Sequence, residues 1–159
     1  MDPNLSKAII DFFMGIAIFS RMNAEEVKIV AKHMTVIELQ PGDTLFEEFD
    51  RGRFMCFIAH GTLDVIKQPA GTHRDVVITT MRRGQSIGEM SVIENLPRSA
   101  TIKAREVSKL FILSQAAFDR VLAKHSHIGI KLLKGITILL SNNLRKTSSR
   151  LADYMLPIS

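Results

Sequence analysis

Cysteine is almost absent from this chain: Cys56 is the single thiol in 159 residues. One thiol closes no internal disulfide, and without a Cys-x-x-Cys pair there is no dithiol redox centre and no thiolate cage for zinc. That suits a reducing cytoplasm. Cys56 stands inside the apolar run Phe54-Met55-Cys56-Phe57-Ile58, the environment of a buried strand residue. Long apolar runs are also missing. None approaches the ~18 residues of a membrane span. The stretch Ala8 to Phe19 is apolar, but Asp11 interrupts it, and Asp2 stands where a secretory signal carries positive charge. The expectation is a soluble, cytoplasmic protein with no membrane partner. The five histidines, at positions 33, 60, 73, 125 and 127, do not gather into a ligand set. A cupin-type metal enzyme therefore lacks its ligands, and no nucleophile stands beside a base. Neither catalysis nor a bound metal is expected. The nine glycines and five prolines form no linker, and no repeat or low-complexity segment occurs.

What is present fits one globular unit. The hydrophobic fraction is 46% and the charged fraction 23%, enough apolar material for a core and too little charge for wholesale disorder. The net charge of +5 favours anionic partners without choosing among them. Its local pairs, Arg51/Arg53, Arg82-Arg83 and Arg145-Lys146, each read as solvated surface when taken singly.

The pattern changes twice along the chain. Ile9, Phe12, Phe13, Ile16 and Phe19 recur at helical spacing, which predicts an amphipathic helix. Asn23 followed by Glu26 predicts a capping box for a second helix carrying Val27, Ile29, Val30 and Met34. From Thr35 the residues become β-branched and the segments short. Strands are predicted over Thr35–Leu39, Thr44–Phe46, Arg53–His60, Thr62–Lys67, Asp75–Met81, Ala100–Ala104 and Lys109–Leu113, with Pro41-Gly42-Asp43 and Gly61 as turns. Ser114 caps a helix with Ala117, Phe118, Val121 and Leu122 on its apolar face, and a long helix runs from about Ile128 towards Leu151. The result is an α+β unit: N-terminal helices over 1–34, an antiparallel β-roll over 35–113, and C-terminal helices over 114–159.

Residues 84–101 stand apart, because acid, base and free amides fall close together. Gly88 lets backbone approach a ligand closely. A helical turn from Glu89 to Glu94 has free N–H groups at its start, and Pro97 stops it. Arg98 offers a planar fork suited to phosphate, and Ser99 a hydroxyl and an N–H. Glu89, when ionised, can accept from a sugar hydroxyl. By spacing alone, a Gly-Glu with arginine nine residues on also fits a structural ion pair beside a turn.

The segment Gly88-Glu89-Met90-Ser91…Pro97-Arg98-Ser99-Ala100-Thr101 resembles the phosphate-binding cassette of the cyclic-nucleotide-binding family, which includes catabolite activator protein and the regulatory subunits of protein kinase A. The resemblance extends over Leu39–Phe46, Phe57–Val65 and Val107–Leu122, nearly the whole chain. It implies a jelly-roll-like β-roll, or double-stranded β-helix, with C-terminal lid helices. It also implies a cyclic purine nucleotide as ligand, with no metal required. Glu89 would accept from the ribose 2′-hydroxyl, and Arg98 would pair with the cyclic phosphate. Ser99 and the Ala100 N–H would join Arg98 at that phosphate, Gly88 would make room for the sugar, and Met90 belongs to the same binding segment. Val65, Val77 and Thr79 would wall the pocket. Serine rather than threonine at position 99 favours cAMP over cGMP. Two departures stand out: Phe49-Asp50 replaces the family's Gly-Asp, and Arg53 replaces an aspartate. That loop is expected to lie away from the phosphate.

On the long helix, Leu133, Thr137, Leu140, Leu144, Thr147, Leu151 and Tyr154 alternate in steps of four and three, a coiled-coil-like seam flanked by Ile136, Leu139 and Asn143. Two expectations stand side by side: the helix packs on its own roll, or it forms a homodimer seam. Asn142, Asn143 and Arg145 are candidates for base contact, with Asn143 foremost. A DNA-binding relative carries a helix-turn-helix after this helix, and Arg150 to Ser159 are too few for one, so DNA is not expected as a partner. Alternatives are a fragment of a Crp/Fnr-type regulator, or a family member that has lost its ligand and serves as a protein-interaction module. The downstream protein partner is not identified by the sequence.

Overall fold

The computed structural model describes residues 3–155, with side chains from Ser6 onward; Asp2 and the tail 156–159 lie outside the described residues. Its helices are α1 (Pro3–Met14), a 3₁₀ turn (Ala17–Phe19), α2 (Ala24–Ala31), α3 (Glu89–Glu94), α4 (Gln115–Lys124) and α5 (Ser126–Met155). Its strands are β1 (Thr35–Leu39), β2 (Thr44–Phe46), β3 (Phe54–His60), β4 (Thr62–Lys67), β5 (Val76–Arg82), β6 (Ser86–Ile87), β7 (Thr101–Ala104) and β8 (Ser108–Ser114). The order is helices, roll, helices, as expected. One antiparallel sheet runs β1-β8-β3-β6 and the other β2-β7-β4-β5. The two-residue strand β6 was not expected; it is too short to show a period.

Alternation along β3 places the core. Met55 and Phe57 face the helices, where they join Phe13, Ile18, Phe19, Val121, Ile128, Leu132 and Ile136. Cys56 and Ile58 face the other way, into the roll, with Leu63, Ile87, Ile102 and Leu110. Met55, Cys56, Phe57 and Ile58 are all fully buried, so a strand lined on both faces reads as a continuous apolar run. Burial pushes the Cys56 thiol up to about 12, which leaves it protonated and inert.

The N-terminal helix is shorter than its periodicity suggests. α1 ends at Met14, Ile16 is extended (φ −92°, ψ 131°), and a 3₁₀ turn follows. Ile16 and Phe19 are nevertheless buried, because the break at Gly15 redirects them onto the same core. The capping box forms as read: Asn23 Oδ1 accepts from the Glu26 N–H at 3.0 Å, and Glu26 Oε2 accepts from the Asn23 N–H at 3.0 Å. Ser114 likewise caps α4 through the Ala117 N–H.

α5 divides into two halves. Its first half buries Ile128, Leu132 and Ile136, and Lys131 Nζ donates to both oxygens of Glu26 at 2.7 and 2.8 Å. Gly135 passes so close to the Ile18 backbone that an added Cβ would collide with its carbonyl. From Asn142 to Met155 every residue is exposed. The seam residues therefore separate: Leu133 and Leu140 pack against the core, while Leu144, Leu151 and Tyr154 stand in solvent.

Candidate functional site

The cassette is a strand, a left-handed glycine, one short helix and a return strand. β6 pairs with β3 and delivers Gly88 at φ +83°, ψ +17°, a conformation that side chains other than glycine's resist. α3 follows and ends on Asn95 at φ +55°, whose N–H donates to Ser91 O. Asn95 thus stops the helix where Pro97 was expected to; Pro97 instead bridges Arg51.

The loop before β3 does not lie away from the phosphate residue, contrary to expectation. The Arg98 N–H donates to Asp50 O at 2.8 Å, and the Phe49 N–H donates to Arg98 O at 2.9 Å. A Cβ on Gly52 would sit 2.6 Å from Arg98 Nε. Phe49 itself holds φ +73°. Two extended segments paired through the cassette's own backbone bring residues some 50 apart into contact, and spacing cannot reveal that.

Arg98 is 3% exposed. Its Nη2 donates to the Phe54 carbonyl at 2.8 Å, and its Cζ lies 3.9 Å from the Phe46 ring centroid and 4.5 Å from that of Phe54. Nη1, beside Gly88, is buried and has no partner. Glu89 Oε2 is likewise buried and unpartnered. Among the described residues no ion pair joins Glu89 to Arg98, so the structural ion pair that spacing allowed does not form. Burial pushes the Glu89 carboxyl above its ordinary range, opposed by its own backbone N–H and by Arg98. Burial also lowers Arg98, while Cys56, Asp50 and Glu89 oppose that shift. An unmade hydrogen bond on a buried charged group is costly and calls for a ligand of complementary chemistry.

Three cavities are lined by Glu89, and Arg98 lines none of them. The inner one, of about 150 Å³, is lined by Gly88, Glu89, Ser99, Ala100 and Phe46, with Val65 and Met81 opposite. The second, of about 260 Å³, lies between the roll and α5 and is lined by Gln85, Leu139 and Asn143 together with the 3₁₀ turn. Met81, Ser86 and Glu89 line both. Met90 is half exposed and lines neither of these two; it lines the third, of about 270 Å³, with Gly88, Glu89, Ser99, Leu96 and Pro97. Val65 takes its expected place, whereas Val77 and Thr79 lie exposed on β5 and line neither chamber. Among the described residues no three potential metal ligands come together, and no helix is long and apolar enough to cross a membrane. Sequence reasoning missed Phe46, Phe54, Gly52, Met81 and Gln85. Each looks like ordinary strand or turn material until the roll closes.

The family model described as "Cyclic nucleotide-binding domain" matches residues 36–125. The chain belongs to the cyclic nucleotide-binding domain family. A cAMP-dependent protein kinase regulatory subunit from Debaryomyces hansenii is 27% identical over 112 residues, covering 70% of this chain and 24% of that protein. The chain thus spans about a quarter of that relative's length. A cyclic nucleotide-binding domain from Methylobacillus flagellatus superposes with a TM-score of 0.84 at 27% identity, covering 96% of this chain and 85% of that one. Catabolite activator protein from Thermus thermophilus superposes at 0.77 with 20% identity over 86% of this chain and 62% of that one, a likeness of fold. The β-roll with C-terminal helices is thereby the family's architecture, and the cassette expected from residues 84–101 falls inside the matched segment.

Proposed function

We propose that residues 1–159 form one regulatory sensor that binds a cyclic purine nucleotide, cAMP in preference to cGMP, and passes the event on through α5. The observation that carries this reading is the pair of buried, unpartnered polar atoms, Glu89 Oε2 and Arg98 Nη1, flanking a left-handed glycine, with Glu89 on the wall of two adjoining chambers. One is an acceptor for a hydroxyl and the other a charged donor for an anion. A ribose cyclic phosphate presents both on one rigid body.

In this reading Arg98 pairs with the cyclic phosphate, helped by the Ser99 hydroxyl and N–H and the Ala100 N–H. Glu89 takes the ribose 2′-hydroxyl, Gly88 leaves room for the sugar, and Met90 closes the outer side. The inner chamber suits the sugar phosphate and the second suits the base, with Asn143 at its α5 wall. A monoanionic phosphate needs no metal. The preference for cAMP rests on Ser99 and on the cAMP-dependent relative. A ligand shifts α5 only if it binds one arrangement of that helix better than another, and Leu139 and Asn143 are where it would do so. The exposed distal seam is read as a homodimer contact, and the setting as cytoplasmic.

Calorimetric titration with cAMP and cGMP, run beside Arg98→Ala, tests the assignment. The substitution is expected to weaken cAMP binding by about 2–4 kcal/mol, because a buried phosphate loses its charged partner. Equal affinity in mutant and wild type would remove the phosphate assignment.

A further inference from the structure

We propose that Phe54 is the positioning residue of the cassette guanidinium: its ring and its backbone carbonyl together hold Arg98, with the Phe46 ring closing the corner, so that the buried Nη1 end is left for the ligand. This rests on the assignment of Arg98 as the anion-binding group, but concerns residues outside the cassette segment.

Four contacts fix the fork. The ring planes of Phe46 and Phe54 are 68° apart with centroids at 5.9 Å, which makes a corner rather than a sandwich. Arg98 Cζ sits in that corner, 3.9 Å from one centroid and 4.5 Å from the other. The Phe54 carbonyl takes the Nη2 hydrogen at 2.8 Å. On the Nε side Gly52 leaves no space, since a Cβ there would come within 2.6 Å. Nη1 is the guanidinium nitrogen that is fully buried with no hydrogen-bond partner. A guanidinium is planar and weakly hydrated, so it can stack on rings and donate along its edges at the same time; an ammonium has neither the plane nor the fork. The fork is therefore oriented before any ligand arrives, and binding does not have to order it. Phe54, like Arg98, is absent from the lining of both chambers, whereas Phe46 lines the inner one. Its effect on a ligand passes through Arg98.

Two measurements decide the matter. In the ligand-free protein, the Arg98 Nε–H resonance is assigned by its loss in Arg98→Lys. It is expected to be ring-shifted and restrained in the wild type, released in Phe54→Leu, and kept in Phe54→Tyr, which preserves the ring face. In titration with cAMP, Phe54→Leu is expected to weaken binding about 3- to 30-fold, the range of a partly desolvated cation–π contact, with Phe54→Tyr close to wild type. Phe54→Met replaces Phe54→Leu in both measurements if that variant does not fold. An Nε–H unchanged in Phe54→Leu overturns the proposal, as does a released fork with unchanged cAMP affinity. A wild type that binds no cyclic nucleotide defeats the ligand assignment instead. The spectrum alone then decides whether Phe54 holds the fork.

Discussion

Arg98 in the cassette is 3% exposed, whereas Leu144 and Tyr154 on the far half of α5 are 68% and 87% exposed. The first is a charged group enclosed by rings, a carbonyl and two glycines. The others are large groups exposed on the surface of a helix. Each runs against the ordinary preference of its residue type, and the two exceptions differ in kind. The buried cation is over-determined by its surroundings and has one unmet bond, which is how a preorganised site looks. The distal seam is exposed among the described residues. Between them lies the joint where the first half of α5 is fastened to the N-terminal helices by Gly135 against Ile18 and by Lys131 on Glu26.

The contrast can be broken most severely at the cassette. In Gly88→Ala the new methyl meets Arg98 Nη1 and the backbone stays at φ +83°. The guanidinium must leave its place, and a charge-assisted hydrogen bond is worth roughly 1.5–3 kcal/mol. Cyclic nucleotide affinity is expected to fall by about 2–3 kcal/mol in a titration, with the far half of α5 unaffected. Unaltered affinity would mean that the fork is less constrained than its neighbours imply.

A smaller effect is expected at the joint. Lys131→Met removes the donor that lowers the Glu26 carboxyl, the Asn23 N–H being the second cause. A lowered native value means the bond contributes fully above the unfolded carboxylate range near 4.5 and is lost as pH falls through the native value. Lys131 is partly exposed, so the loss at pH 7 should be about 1–2 kcal/mol, read from urea midpoints. At pH 3 the gap between the two proteins should narrow. A gap that stays constant with pH would show that Glu26 contributes nothing through its charge.

The smallest effect on stability is expected in the seam, and there the association state is the sharper readout. Leu144→Glu with Leu151→Glu should change folding stability by less than about 0.5 kcal/mol, since neither side chain is buried. The same pair should convert a sedimenting dimer to monomer, because like charges then face one another across an apolar seam. A wild type that already sediments as a monomer would dissolve the dimer reading and leave the bare half of α5 for another partner.

Much of this was legible in the residues. The capping box at Asn23 and the Ser114 cap are local, since their hydrogen bonds join groups three positions apart. β1, β2 and β4 fall on the residues their β-branched runs indicate. The cassette was legible because its functional groups are contiguous in the chain. The break at Gly15 was not, since the apolar residues on both sides keep to one core and so imitate a continuous helix. β6 was not, since two residues carry no period. The loop from Phe49 to Arg53 was misplaced, because its contacts with Arg98 span nearly fifty positions.

The amino-acid order by itself determined the alternation of helix and strand, the enclosed thiol, and which acid, arginine and glycine share one short segment, because propensity, capping and periodicity act over a few neighbouring residues. Only the tertiary structure decided that Glu89 and Arg98 do not neutralise each other, that two phenylalanines from different sheets flank the guanidinium, and that α5 is fastened along one half and exposed along the other. Those facts arise where the two sheets close on each other and the helix crosses them, and a contact made by closure has no trace in local sequence.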